Sequence, residues 1–539
     1  MFLLEAALPK ETLDAFREVV VPKIGHSLEY FGAEFQVAIV AMVILLLDLF
    51  IPRKSSKHLA WLAVFGCLYP VLSVMGLGHS APDDGLFFGM LGVDSYANFF
   101  KLFFLLGGVP VVLLSYISKE LEDVRMGEYY AILLATVFAG MLMASSTHFL
   151  MAILSLELMS ISSYILVGFH RRQRQSAEAS LKYIIYGSVA AAVMIYGMSL
   201  LYGLAGSGNI PKVGEELANL FSGRTGEELA STQFTAIVAL VLTFIGFAYK
   251  MATIPMHFWC PDVYEGAPTP ITAFLSVASK AAGFALCLRF FSSMPGLVSE
   301  TNWVVVMVVV GVVTMTIGNL AALWQENLKR LLAYSSIAHA GYMTMGLVLL
   351  QHAADPQAGH YTGIQLIAYY LLAYLAMNLG AFAVVILIQN RTGSVNLRDY
   401  EGLGWQSPFL GAALTVFIFS LIGIPPTAGF MGKFQLLVGV IDQALALEGI
   451  LKGLYIFMAV AALLNTAISV YYYLKIVRNM YLTQIVENLE RIRVPLLGSL
   501  LVTAMLILTF YLFFDAQTVF DHTLELKLGG LNGASGAHH

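Results

Sequence analysis

The sequence predicts an all-α polytopic membrane protein of about fourteen transmembrane helices, arranged around two inverted five-helix repeats. Three observations carry this reading. Of 539 residues, 58% are hydrophobic and only 12% charged, with a mean hydropathy of +0.78, leaving too little polar surface to coat a water-soluble domain. Apolar runs of about 20 residues recur along nearly the whole chain, the length a helix needs to cross a bilayer. The basic residues gather in alternate connections, as they do where loops face the cytoplasm.

The predicted spans lie at 33–51, 58–77, 95–117, 128–144, 147–169, 179–204, 233–257, 270–292, 302–324, 329–350, 361–389, 408–440, 451–477 and 495–514. With the N-terminus outside, Arg53, Lys54, Lys57, Lys119, Arg125, Arg171, Arg172, Arg174, Lys329, Arg330, Arg391, Arg398, Lys475, Arg478, Arg491 and Arg493 face the cytoplasm. The outer segments hold Lys10, Arg17, Lys23, Lys212, Arg224, Lys452 and Lys527. This asymmetry places both termini on the outer side. The first residues carry Glu5, Lys10, Glu11, Asp14, Arg17 and Glu18 and do not read as a signal peptide. The stretch from Gly529 to His539 reads as a disordered tail rather than a metal site.

Two spans contain breakers. The seventh runs into Tyr249-Lys250-Met251-Ala252-Thr253-Ile254-Pro255, and the twelfth contains Gly423-Ile424-Pro425-Pro426-Thr427-Ala428-Gly429. Proline interrupts the helix ladder, and at membrane depth the freed carbonyls must be buried in protein or line a wet cavity. Broken spans five apart, each with a lysine beside its break, predict two repeats with the working site between them. The expected divisions are 1–125 (spans 1–3), 126–295 (spans 4–8), 300–482 (spans 9–13) and 483–539 (span 14 and tail).

The candidate working residues are charges inside these spans: Glu157, Lys182, Lys250, Lys280 and Lys433. Each costs roughly 2.5–3.5 kcal/mol at a helix centre even on lenient insertion scales, so five of them suggest a path for protons or cations. Glu157 shares a helix face with Ser160, Ile161 and Tyr164. Lys250, just before the break, is the best partner for it. Burial disfavours an ammonium and a nearby carboxylate favours it, so moving the carboxylate away would release a proton. The plainer alternatives are a static ion pair between two helices or lysines reaching to an interface. Lys280 lies in the small-residue run Ser276-Val277-Ala278-Ser279-Lys280-Ala281-Ala282-Gly283, which permits close helix packing. His257 and His339 could relay protons or be hydrogen-bonded core histidines. Lys101 and Arg289 read as snorkelling cations, and Asp48 as a local partner of Arg53 and Lys54.

Other chemistries lack support. Cys67, Cys260 and Cys287 have no metal-ligand spacing. No dinucleotide or Walker motif appears, and no basic stripe suits nucleic acid. A purely structural scaffold is disfavoured by the cost of so many intramembrane charges.

The run Trp259-Cys260-Pro261-Asp262-Val263-Tyr264-Glu265-Gly266-Ala267-Pro268-Thr269-Pro270, followed by Phe274 to Lys280, strongly resembles the antiporter-like membrane subunits of respiratory complex I. The segment from Leu328-Lys329-Arg330 to His339-Ala340-Gly341-Tyr342 is a second signature, and the resemblance covers roughly residues 30–515. Within that family Glu178-Ala179-Ser180-Leu181-Lys182-Tyr183, a lysine at 433 and the absence of a long lateral helix resemble the N-type subunit of bacterial NADH-quinone oxidoreductase. The resemblance implies that Glu157 and Lys250 form the ion pair of one half-channel and that Lys182 tunes it. It implies that Lys280 connects, that Lys433 leads to the exit, and that His257 and His339 bridge a central polar axis. It further implies a proton-translocating, non-redox subunit of the bacterial inner membrane that couples quinone reduction elsewhere to proton pumping. NADH, FMN, iron–sulfur clusters and quinone would then sit on other subunits, with no cofactor in this chain. The expected partners are other membrane-arm subunits, including M and K, and lipids, with no nucleic acid. The alternative is a subunit of a multi-subunit cation/proton antiporter or membrane-bound hydrogenase.

Overall fold

A computed structural model describes residues 20–76, 85–122, 124–222, 226–294, 301–350, 361–482 and 494–524. The expected tail, the first 19 residues, and Lys10, Arg17, Arg224, Arg491, Arg493 and Lys527 lie outside the described residues. The long helices are α1 Gly32–Phe50, α2 Ala60–Gly76, α3 Ser95–Ile117, α4 Met126–Ser145, α5 Phe149–Val167, α6 Arg174–Ala205 and α7 Gly226–Met251. The short α8 Trp259–Gly266 is followed by α9 Thr269–Ser292, α10 Thr301–Ala322, α11 Leu328–Val348 and α12 Gly363–Thr392. α13 Pro408–Ile422, α14 Ala428–Ala446, α15 Gly449–Leu482 and α16 Leu496–Phe514 complete the set.

Among the described residues, 12 helices are long and apolar enough to cross a membrane. The tenth and twelfth expected spans are met differently. α11 carries Ser335, Ser336, His339 and Thr344 within its span as well as Lys329 and Arg330 in its first turn, which lowers its hydropathy. The twelfth span divides into α13 and α14, because Gly423 takes a left-handed φ of 93° and Pro425 and Pro426 cannot donate to a helix ladder. The seventh span likewise ends at Met251, short of its expected boundary, and Ala252 adopts φ 56°. A non-glycine residue rarely occupies that region, and at a working site such an outlier is informative.

Helix ends are set by local signals. Asp94 caps α3 by accepting from Ala97 N at 2.7 Å, and Thr362 with Gln365 forms a capping box on α12. Gly206 and Gly393 close α6 and α12 in the left-handed conformation.

Connections alternate between two layers. In one, Ser56 Oγ accepts from Met126 N and Gly127 N, Glu120 accepts from Thr269 N at 2.9 Å, and Leu328 N donates to Val395 O. In the other, Gly92 N donates to Ser145 O, Phe149 N to Gly208 O and Gly363 N to Leu349 O. Arg53, Lys54, Lys57, Lys119, Arg125, Arg171 and Arg172 all belong to the first layer. The most apolar stretch of α9 is 100% buried and that of α12 94%, against 33% for α1, α15 and α16. α9 and α12 therefore form the core, and the rim exposes side chains such as Phe50, Leu72 and Ile507 as lipid-facing helices do.

Four expectations at charged residues are corrected. Lys101 does not snorkel: it is 1% exposed and pairs at 2.7 Å with Glu34, equally buried, on α1. Arg289 is also buried, bidentate to Asp94 at 2.8 Å through both terminal nitrogens, with Tyr96 beneath its guanidinium. Asp48 pairs across helices with Arg125 at 2.8 Å and accepts from Ser56, so it is not merely a local partner of Arg53 and Lys54. Lys329, assigned to a loop, is 3% exposed and donates to Ala267 O at 2.6 Å.

Candidate functional site

The site is built around the α7 break, the core helix α9 and the α13–α14 break. At the first break the backbone is held together rather than frayed. Ala252 N donates to Tyr249 O and Thr253 N to Ala248 O, Trp259 Nε1 also donates to Tyr249 O at 3.0 Å, and Ile254 N reaches Thr314 Oγ1. These bonds satisfy groups that the missing turn would otherwise orphan.

Lys250 precedes that break and is wholly buried, and its Nζ has no hydrogen-bond partner among the described residues. The carboxylate whose charge reaches it is Glu157 on α5, but no contact within ion-pair distance joins them. Glu157 is half-buried, and its helix face also carries Leu150, Leu154, Ile161 and Ile165, all exposed. The expected partners are thus within electrostatic reach on neighbouring elements, with the pair open.

Lys250 backs directly onto α9. A Cβ at Gly283 would lie 2.9 Å from Lys250 Cβ, so only glycine lets the two helices approach this closely. One turn back along α9 is Lys280, entirely buried. The residues before it, Leu275–Ser279, form a π-type turn, an irregularity that recurs at functional sites. Lys280 Nζ donates to Ser336 O on α11 at 2.6 Å.

α11 then presents Ser336, His339 and Tyr342 at helical spacing. His339 is 2% exposed, with Nδ1 at 2.7 Å from Tyr370 OH and Nε2 at 3.2 Å from Tyr473 OH. Tyr473 OH in turn bonds Ser335 Oγ. Lys433 Nζ lies 4.6 Å from the centre of the Tyr342 ring and donates to Leu421 O and Ile422 O, both at 2.9 Å. Those are the last carbonyls of α13, the negative end of a helix dipole, and an ammonium there is doubly favoured. Lys280, His339 and Lys433 are therefore linked through one face of α11.

Two expected site residues are not brought into this line. Lys182 is 39% exposed and held by Glu178 at 2.9 Å and Asp262 at 2.7 Å. Arg330 completes that cluster, reaching Asp262 and Glu265 at 2.8 Å each. Burial would raise the Asp262 carboxyl, but the hydrogen bonds from Lys182 and Arg330 outweigh it and hold it below its ordinary value. His257 sits at the first break, its ring packed on Phe258 at 4.3 Å, with no hydrogen bond to any of the lysines.

Sequence reasoning missed the tyrosines. Tyr342, Tyr370 and Tyr473 surround His339 and Lys433 in the core. Tyr342 OH continues to Asn319 at 3.3 Å and Thr466 at 3.4 Å, and Asn319 to Asn465 and Tyr472. The available signal was a set of hydroxyls and amides inside apolar runs, where a polar group must find a partner.

The geometry describes a transporter-like bundle with ionisable groups spread along its middle, and comparison with known proteins gives its class. Residues 146–458 match the family described as NADH:quinone oxidoreductase/Mrp antiporter, TM. The chain is 43% identical over 531 residues to NADH-quinone oxidoreductase subunit N 2 of Chloroherpeton thalassium, covering 93% of this chain and 96% of that one. It is 40% identical over 504 residues to subunit N of Chlorobium chlorochromatii, covering 91% and 93%. Respiratory complex I from Thermus thermophilus contains a chain that is 30% identical and superposes with a TM-score of 0.70, over 91% of this chain and 98% of that one. The Mrp complex from a Dietzia species shares the fold, with a TM-score of 0.72 at 19% identity over 93% and 97%. The chain belongs to the antiporter-like membrane subunits of NADH:quinone oxidoreductase, in the subunit N branch.

Proposed function

We propose that this chain moves protons within the membrane arm of complex I through Glu157, Lys250, Lys280, His339 and Lys433, and takes part in no electron transfer itself. The observation that carries the reading is Lys250: wholly buried, with an Nζ that has no partner. The other two lysines of the line, buried Lys280 and half-buried Lys433, each hold a hydrogen bond. An uncompensated ammonium in the core is expensive, so the charge is stable there only while Glu157 stays ionised. Closing the pair holds a proton on Lys250, and opening or protonating Glu157 lets it pass toward Lys280. His339, between two hydroxyls, then connects the Lys280 side of α11 to the Lys433 side. Lys182, salt-bridged at the exposed edge, tunes the field at that end, and His257 holds the turn at the first break.

The same reading places NADH, flavin, clusters and quinone on other subunits. It places the basic loop layer on the cytoplasmic side of a bacterial inner membrane and the termini on the other. Glu157 lies on a helix face that is otherwise apolar and exposed, which suits cover by a neighbouring membrane-arm subunit such as M or K. The two repeats, 126–295 and 300–482, are supported by the paired breaks beside Lys250 and Lys433.

The test uses Lys433→Gln in the assembled complex reconstituted in vesicles. NADH-driven proton transport should fall about a hundredfold, the lower end of what a positioned proton-transfer group contributes. Unchanged transport by an assembled Lys433→Gln complex would remove that residue from the path.

A further inference from the structure

We propose that a cavity in the basic loop layer, where the α1–α2, α3–α4 and α5–α6 connections meet, binds the headgroup of an anionic phospholipid. The cavity has a volume of about 780 Å³, and a smaller one of about 250 Å³ shares Arg53, Lys54 and Glu122 with it.

Six cations line the two: Arg53, Lys54, Lys57, Arg125, Arg171 and Arg172. Three carboxylates oppose them: Glu120, Glu122 and Glu128. Arg125 is paired with Asp48, and Glu120 accepts from Thr269 N. Setting aside Arg125 and Arg53, which also has a contact of its own, leaves Lys54, Lys57, Arg171 and Arg172 against three carboxylates, one of them turned toward Thr269 N, so the cavity still favours an anion. Lys54, Arg171 and Arg172 are exposed and keep the long, adaptable stems that phosphate contact uses.

His170 supplies an independent observation. It lines the larger cavity, is only 9% exposed, and its Nε2 has no hydrogen-bond partner among the described residues. A buried ring nitrogen left unpaired is costly, and a phosphate oxygen or hydroxyl would satisfy it.

The surroundings select a lipid over a free anion. α2 begins just past Lys57 and exposes Trp61, Phe65, Tyr69 and Leu72 at helical spacing. The Trp61 ring meets Tyr116 at 5.9 Å, and Tyr116 lines the smaller cavity. The basic chamber therefore opens onto an apolar stripe with aromatic residues at its edge, the arrangement of a membrane–water interface. Acyl chains would lie along α2, with the headgroup among the cations.

The experiment uses the delipidated whole complex in phosphatidylcholine vesicles containing a small fraction of photoactivatable phosphatidylglycerol, with cross-links mapped by mass spectrometry. Labelling is expected within residues 50–61, 115–122 or 168–173. Each interfacial cation is worth about a factor of five, so Lys54→Gln combined with Arg171→Gln and Arg172→Gln should lower that labelling at least about tenfold. Equal labelling of these segments by photoactivatable phosphatidylcholine would overturn the proposal. Complete displacement by millimolar inorganic phosphate would overturn it too, by making the cavity a free-anion site. Should the triple variant fail to assemble, the comparison of the two probes on the unaltered complex still decides.

Discussion

Replacing Lys250 by alanine should leave the complex assembled and lower NADH-driven proton transport by about a hundredfold or more, the scale of a lost proton carrier. The expectation rests on how little holds the ammonium. Its Nζ makes no hydrogen bond, so truncation breaks none and removes a charge from a fully buried site. What remains is Glu157, half-buried on α5 and able to take up a proton. Losing the charge should therefore cost little stability, in contrast to the usual penalty for breaking a buried pair. Lys250→Met, which keeps most of the volume, separates the lost charge from the cavity that alanine leaves. Both variants should transport alike. If methionine restores transport, packing rather than charge is what Lys250 provides. If either variant loses the subunit from the complex with no separate transport defect, the scaffold reading gains.

The second large effect is structural. Arg289→Ala should destabilise the chain by about 3–5 kcal/mol, because it strands the buried Asp94 carboxylate. Arg289 ties three helices. It takes both oxygens of Asp94 at the start of α3, donates Nε to Ala144 O on α4 at 2.7 Å, and projects from α9. Substituting both partners, Asp94→Asn with Arg289→Met, should recover much of the loss, since paired removal leaves no uncompensated charge. Thermal unfolding of the detergent-solubilised complex, followed through retention of this subunit, reads the difference. A double variant as unstable as the single one would show that packing around Arg289, and not its ion pair, holds these helices.

The two lysines beside helix breaks were legible in the sequence because their signals are local. Lys250 stands next to a run that cannot stay helical, and Lys433 follows Gly423 and a Pro-Pro pair. Lys280 was legible for a similar reason, from the small residues that let α9 be enclosed. Lys101 and Arg289 were misread because their meaning depends on residues 67 and 195 positions away, Glu34 and Asp94. A cation near the end of a span looks the same whether it reaches for the interface or meets a carboxylate on a packed neighbour. Glu34, an acid inside the first apolar run, was the overlooked hint.

Lys182 shows the converse. Its position in a long apolar helix suggested the interior, but the face of α6 it occupies meets Asp262 at an exposed edge. Helix periodicity alone does not say which face a neighbour covers. The tyrosine surround of His339 was hidden for the same reason, since Tyr370 and Tyr473 come from α12 and α15.

The central claim is that Glu157 and Lys250 exchange charge during turnover. Redox-triggered infrared difference spectroscopy of the complex, with Glu157→Gln as reference, tests it most directly. The account predicts a protonated-carboxyl band that rises and falls with quinone reduction in the unaltered complex and is absent from the variant. A difference spectrum with no band that depends on Glu157, in a complex that still pumps, would contradict it.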